Sequence, residues 1–181
     1  VFITKAEASE NLTPFTIEDD LVKIALGSYM LELADAFTSE EADAAGAYQL
    51  LSAALDAMNE QHASVALRQG YELRMLNWAG YGIDFSRCRN CGIDAQLDYA
   101  FFVAARGGVV CPRCRVQAPE GAVKLEASSA GALARLAHAE LANARAAGAA
   151  AGDGSLAISR FIASILERRL RSAAFLDSML S

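Results

Sequence analysis

The chain's clearest pattern is apolar residues recurring at helical spacing, interrupted once by a segment of a different kind. Leu21, Ile24, Ala25, Tyr29, Leu33 and Phe37 predict a helix over 17–37. Thr16 with Asp19 resembles an N-cap, and Glu18, Asp19 and Asp20 suit the positive end of the helix dipole. Thr38 with Glu41 forms a capping box for a second helix over 42–61, carrying Tyr48, Leu51, Leu55 and Met58. A third, over 64–79, carries Val65, Leu73, Leu76 and Trp78 and is ended by Gly80 and Gly82. Helix returns after Ser128 and runs to 147. Gly148 to Gly154 reads as a mobile small-residue linker. Ser155 then caps a final helix to 178, with Leu156, Phe161, Ile162, Ile165, Leu166 and Leu170 on its apolar stripe.

Two segments depart from this pattern. Val1-Phe2-Ile3 opens a short strand over residues 1–8, which cannot bury its faces alone and reads as the end of a sheet lying elsewhere. Residues 83–120 hold all 4 cysteines, several glycines and two prolines. Within them Tyr99-Ala100-Phe101-Phe102-Val103, then Arg106-Gly107-Gly108, then Val109-Val110 reads as a β-hairpin with a glycine turn. No internal repeat is visible.

Composition narrows the class. With 181 residues, 54% hydrophobic and only 3 prolines, the chain suits one mainly helical domain with a core of its own. No apolar run reaches the length of a bilayer span, and the start carries no signal-peptide pattern, so we expect a cytoplasmic protein with no membrane partner. The start without methionine suggests a fragment. Net charge is -6, but unevenly spread. Residues 1–80 hold 4 basic and 13 acidic side chains, whereas residues 81–181 hold 12 basic and 9 acidic. The first half is a poor nucleic-acid surface; the second can make local contacts.

The strongest chemical signal is Cys88-x-x-Cys91-Gly92 and Cys111-x-x-Cys114, separated by 19 residues. Each pair aims two thiolates at one point, and the hairpin brings the pairs together. That is the pattern of a structural zinc ribbon. Disulfides would need an oxidising compartment. A redox C-x-x-C comes as one pair at a helix start. A catalytic zinc would keep a position open, and four cysteines close it. His62 and His138 lie far off in sequence and read as ordinary helix residues.

Arg87, Arg89, Arg106, Arg113 and Arg115 crowd the ribbon. They can contact phosphates, or equally solvate the exposed knuckles and offset the charge of a tetrathiolate site. Arg160, Arg168, Arg169 and Arg171 on the last helix can meet nucleic acid or an acidic partner, or simply suit the helix dipole. Glu72 and Arg74 read as a structural ion pair or cap. No phosphate-binding glycine loop, nucleophile elbow or metal-ligating histidine pair points to an enzyme.

A longer set of motifs carries a resemblance. Tyr29-Met30-Leu31-Glu32-Leu33, Tyr71-Glu72-Leu73-Arg74-Met75-Leu76, Gly80-Tyr81-Gly82-Ile83-Asp84, the two cysteine pairs with Gly107-Gly108, and Leu170-Arg171-Ser172 with Phe175-Leu176 follow one another in order. The chain resembles the bacterial recombination mediator family RecO over nearly its whole length. The resemblance implies a non-enzymatic DNA-repair protein, cytoplasmic and nucleoid-associated. In architecture it implies an N-terminal OB-fold domain followed by a helical domain with a zinc ribbon. Here residues 1–12 would be the last strand of the otherwise missing OB-fold domain, and 13–181 the helical bundle with the ribbon at 83–120. Family members bind single- and double-stranded DNA, anneal strands, and with RecR and RecF help load RecA on DNA coated by single-strand binding protein. Some contact that protein's acidic C-terminal tail. Arg68, Tyr71 and Arg74 are the candidate tail contacts here. Two other readings remain: a zinc-stabilised helical interaction domain with no DNA role, and a thiol oxidoreductase.

Overall fold

The computed structural model describes residues 20–38, 44–94, 99–117 and 121–180, without the side chains of Gln61, Val116 and Gln117. The strand expected at 1–8, the segment 1–12, the Thr16–Asp19 cap and the Thr38–Glu41 capping box all involve residues outside that set. The described residues are mainly α, as the pattern predicted.

Helices α1 (Leu21–Phe37), α2 (Ala44–Gln61) and α3 (Val65–Trp78) come first. Asp20 caps α1, its carboxylate accepting from Val22 N at 3.0 Å and Lys23 N at 3.2 Å. Ser64 caps α3 by accepting from Leu67 N at 3.2 Å. Gly80, at φ 86°, ends α3 in the left-handed region, and Tyr81 N then bonds Leu76 O at 2.7 Å. The helices approach closely where Gly46 of α2 faces Trp78, whose indole would collide with any Cβ there.

Helix α3 is the centre of the bundle. Ala66 to Leu73, Met75 and Leu76 are all buried, including Arg68, Gln69 and Glu72. A helix that is buried all round shows little amphipathic periodicity, which is why its central position was not apparent from spacing. Its polar groups are largely satisfied inside. Gln69 grips the backbone of Ala150, accepting from its N–H at 2.8 Å and donating to its carbonyl at 3.2 Å.

The ribbon contributes β1 (Tyr99–Val103) and β2 (Gly108–Val110), the expected hairpin, joined by a short 3-10 turn and Gly107 at φ 59°. A further strand, β3 (Val123–Glu126), was not foreseen. It pairs antiparallel with the other edge of β1, giving the order β2-β1-β3. Strand period divides the sheet between two cores. Ala100, Phe102, Val109 and Leu125 face the helices. Val103 and Val110, with Phe101 beside them, pack against the cysteines.

Three further expectations are corrected. The helix predicted after Ser128 ends early: α4 spans Ala127–His138, then Ala139 and Glu140 are extended, and α5 is only Ala144–Ala147. The 148–154 segment is no mobile linker. Ala150 is buried and held by Gln69, and α6 (Gly152–Leu166) already begins there, with Ala151 rather than Ser155 at its N-cap position. The final helix is two. Glu167 turns left-handed at φ 54°, and α7 (Arg171–Met179) folds back along α1. Glu32 of α1 holds the new N-terminus, its carboxylate accepting from Arg171 N at 2.9 Å, Ser172 N at 2.8 Å and Ser172 Oγ at 2.6 Å. No helix among the described residues is long and apolar enough to cross a membrane.

Candidate metal centre and partner groove

The two C-x-x-C segments fold as paired turns. Cys88 N bonds Ile93 O and Gly92 N bonds Cys88 O, both at 2.9 Å, and Gly92 sits at φ 71°, where only glycine is unstrained. Arg89 N bonds Val109 O at 2.8 Å, which ties this first turn to β2. The Arg89 stem crosses so close to Gly108 that an added Cβ would lie 2.7 Å from Arg89 Cγ. The second turn closes with Cys114 N bonding Cys111 O at 3.0 Å.

The result is four free thiols whose sulfur atoms lie within 4.8 Å of one another. Cys88 and Cys111 are 2% exposed, while Cys91 and Cys114 lie toward the surface. Cys111 N donates to Cys88 Sγ, and Asn90 Nδ2 donates to Cys114 Sγ, each at 3.3 Å. Burial works against a charge on Cys88, but the N–H groups of Cys111, Cys91 and Asn90 overcome it and bring that thiol down to about 6. At Cys91 the Ile93 N–H favours the thiolate, yet the neighbouring sulfurs push the thiol up to about 11. Cys88 is thus the readier thiolate of the first pair, and four sulfurs are the donor set of a closed, structural zinc site. The geometry can hold one metal ion and leaves no position for catalysis at it.

The ribbon arginines divide. Arg87, Arg89 and Arg113 are exposed, Arg87 loosely paired with Asp94 at 3.7 Å. Arg106 is half-buried and reaches Asn90 Oδ1 at 3.4 Å, behind the Cys114 sulfur. Arg115 lies 5.2 Å over the Phe101 ring. Phe101 meets Tyr99 edge-on at 5.7 Å, and Lys124 lies 4.6 Å over Tyr99. The outer face of the sheet therefore combines aromatic rings with cations, an arrangement invisible before β3 brought Lys124 alongside β1.

The structure does not bring Arg68, Tyr71 and Arg74, the three candidate tail contacts, to one surface, because α3 is central. Tyr71 is fully buried and donates to Met30 O at 3.0 Å. Arg74 donates to Ala139 O at 2.7 Å and pairs with Glu140 at 3.5 Å, capping the break after α4. Glu72 pairs not with Arg74 but with Arg68, Nε to Oε1 at 2.9 Å, and the same oxygen accepts from Tyr29 OH at 2.6 Å. Arg68 alone of the three reaches an opening.

That opening is a groove of about 540 Å³ between α6 and α7 with Tyr29 and Arg68 among its lining residues. Leu156, Ile162 and Ala163 line it from α6; Ala173, Ala174 and Asp177 line it from α7. Arg160, Arg168 and Arg169 also line it. Sequence reading found these three arginines but not the groove, because the bend at Glu167 that makes its second wall has no glycine or proline to announce it.

A helical bundle with an inserted four-cysteine ribbon able to hold a metal ion is the class of domain this chain represents. Its family is evident from sequence comparison: the profile described as Recombination protein O C terminal matches residues 18–174, and the chain belongs to the RecO family. The DNA repair protein RecO of Symbiobacterium thermophilum is 32% identical over 171 residues, covering 91% of this chain and 67% of that protein. Those of a Nocardioides species and of Streptomyces griseus are each 33% identical, covering 93% of this chain and 70% and 68% of those proteins. The chain thus spans about two thirds of the length of these relatives. No solved structure matches it significantly.

Proposed function

We propose that this chain is the helical and ribbon part of a recombination mediator of the RecF pathway, a non-enzymatic cytoplasmic adapter. In this reading it works with RecR, and with RecF, to help load RecA on single-stranded DNA coated by single-strand binding protein, and it promotes strand annealing. Cys88, Cys91, Cys111 and Cys114 hold one structural zinc ion, whose binding energy is folding energy for the ribbon. The zinc has no chemical step to perform; it holds the outer face of β1 in register with Arg113 and Arg115. That face, with Tyr99, Phe101 and Lys124, suits one stretch of a DNA strand, rings for bases and cations for phosphates. The upstream OB-fold domain expected before residue 13 would supply the larger DNA surface.

The observation that carries the reading is the groove. Its walls are apolar, Arg160, Arg168 and Arg169 line it, and Arg68 lies within it. A peptide ending in an apolar residue and a free carboxylate, preceded by acidic residues, complements each feature. The acidic tail of single-strand binding protein is such a peptide. Titrating a fluorescent tail peptide into the chain at low salt tests this: saturable binding that weakens with salt and is lost in Arg160→Glu is expected, and absence of binding refutes it. The net charge of -6 favours a second reading, a zinc-stabilised interaction domain with no direct DNA role. The two separate cleanly, because only the first expects single-stranded DNA to bind at low salt and Arg113→Glu to weaken it.

A further inference from the structure

The groove contains its own acidic occupant. Asp177 shares a helical face with Ala173 and Ala174, groove-lining residues of α7, and Leu170 lines the groove just before that helix. Its carboxylate reaches Arg68, Nη1 to Oδ1 at 2.6 Å. The two ends of this ion pair differ sharply: the Arg68 side chain is 5% exposed and that of Asp177 62%. Arg68 has few ways to take a further ligand. Its Nε already donates to Glu72 Oε1 at 2.9 Å. A carboxylate arriving end-on, gripping both terminal nitrogens, needs the Nη1 that Asp177 holds. Asp177 thus occupies the place of the ligand carboxylate that the groove is otherwise suited to accept.

Helix α7 is built to allow an exchange there. Its N-terminus is anchored by Glu32, with three hydrogen bonds from Arg171 and Ser172. Near its other end Asp177 makes the ion pair with Arg68, while Leu176 is buried on the adjoining face. Losing the ion pair would remove one charged tether from the last turn and leave the Glu32 anchor and the Leu176 packing in place.

We propose that α7 is a self-blocking latch: Asp177 competes with an acidic C-terminal peptide for Arg68, and ligand entry displaces it. This rests on the peptide-groove reading above and adds its regulation. Asp177→Asn keeps the shape and removes both the competing carboxylate and its repulsion of an acidic ligand. The probe is a labelled peptide, a run of aspartates ending in phenylalanine with its carboxylate free, followed by anisotropy with the whole chain. Asp177→Asn should bind it roughly three- to tenfold more tightly than the unaltered chain, the span between an exposed and a partly buried ion pair. In the unaltered chain, saturating peptide should speed amide exchange in the last turn of α7 and leave the Arg171–Ser172 amides protected. Should the variant fail to fold by circular dichroism, the exchange measurement on the unaltered chain decides alone. Peptide binding that is equal in both proteins, or that leaves the end of α7 as protected as before, overturns the latch and spares the groove. No binding to either protein overturns both.

Discussion

Replacing Arg68 by methionine probes the polar centre of the bundle most directly. The side chain sits 4.9 Å over the Tyr29 ring and neutralises Glu72, which is 1% exposed. Among the described residues Glu72 Oε2 has no hydrogen-bond partner, so the carboxylate's hydrogen bonds run through Oε1, from Arg68 and Tyr29. Burial already raises the Glu72 pKa, and Arg68 is the largest influence holding it down. Methionine fills similar space but strands the carboxylate. Removing one partner of a buried pair costs about 3–5 kcal/mol. For a domain of this size that is a fall in melting temperature of roughly 6–20 °C. The pH dependence carries a sign. A carboxyl group whose pKa is raised by folding binds its proton more tightly in the native state. Stability is then lost as pH rises from the ordinary carboxylate value to the raised one. Arg68→Met raises that upper limit further, so its deficit should be smallest in mild acid and widen toward neutral pH. Adding Glu72→Leu removes the stranded charge and should recover most of the loss. Urea unfolding followed by far-UV circular dichroism measures all three proteins. A single variant losing less than about 1 kcal/mol, the level of an exposed pair, or a double variant no better than the single, would refute the argument.

The remaining predictions concern the ribbon and the latch anchor. Metal analysis of the purified chain should find one zinc per molecule; Cys88→Ser should abolish it and erase the near-UV signal of Tyr99 and Phe101, while the far-UV helical signal largely persists because the bundle has its own core. Glu32→Ala should fray α7 and cost about 1–2 kcal/mol, the range of a strong helix cap, seen as faster exchange at Arg171 and Ser172. Burial opposes the Glu32 charge, but Ser172 and the Arg171 N–H more than compensate and lower its pKa. The contribution it makes is therefore present at neutral pH and lost as pH falls below the ordinary carboxylate range, so wild type and variant should converge in acid.

What the sequence alone determined was local. Each C-x-x-C turn positions its own sulfurs, Gly92 and Gly107 provide the left-handed residues at the first turn and at the hairpin, and the hairpin between them is short, so the thiolate cluster was legible from spacing. Gly80 ended α3 as read, and Asp20 caps α1 among the described residues. What only the tertiary structure decided were pairings between distant residues: Tyr29 with Glu72, Gln69 with Ala150, and Arg68 with Asp177, which lie 109 residues apart. Periodicity reports which face of a helix is apolar. It cannot report a helix buried on every side whose charges are neutralised from elsewhere, nor a groove whose second wall exists because Glu167 bends the chain and Glu32, across the bundle, holds the helix that follows.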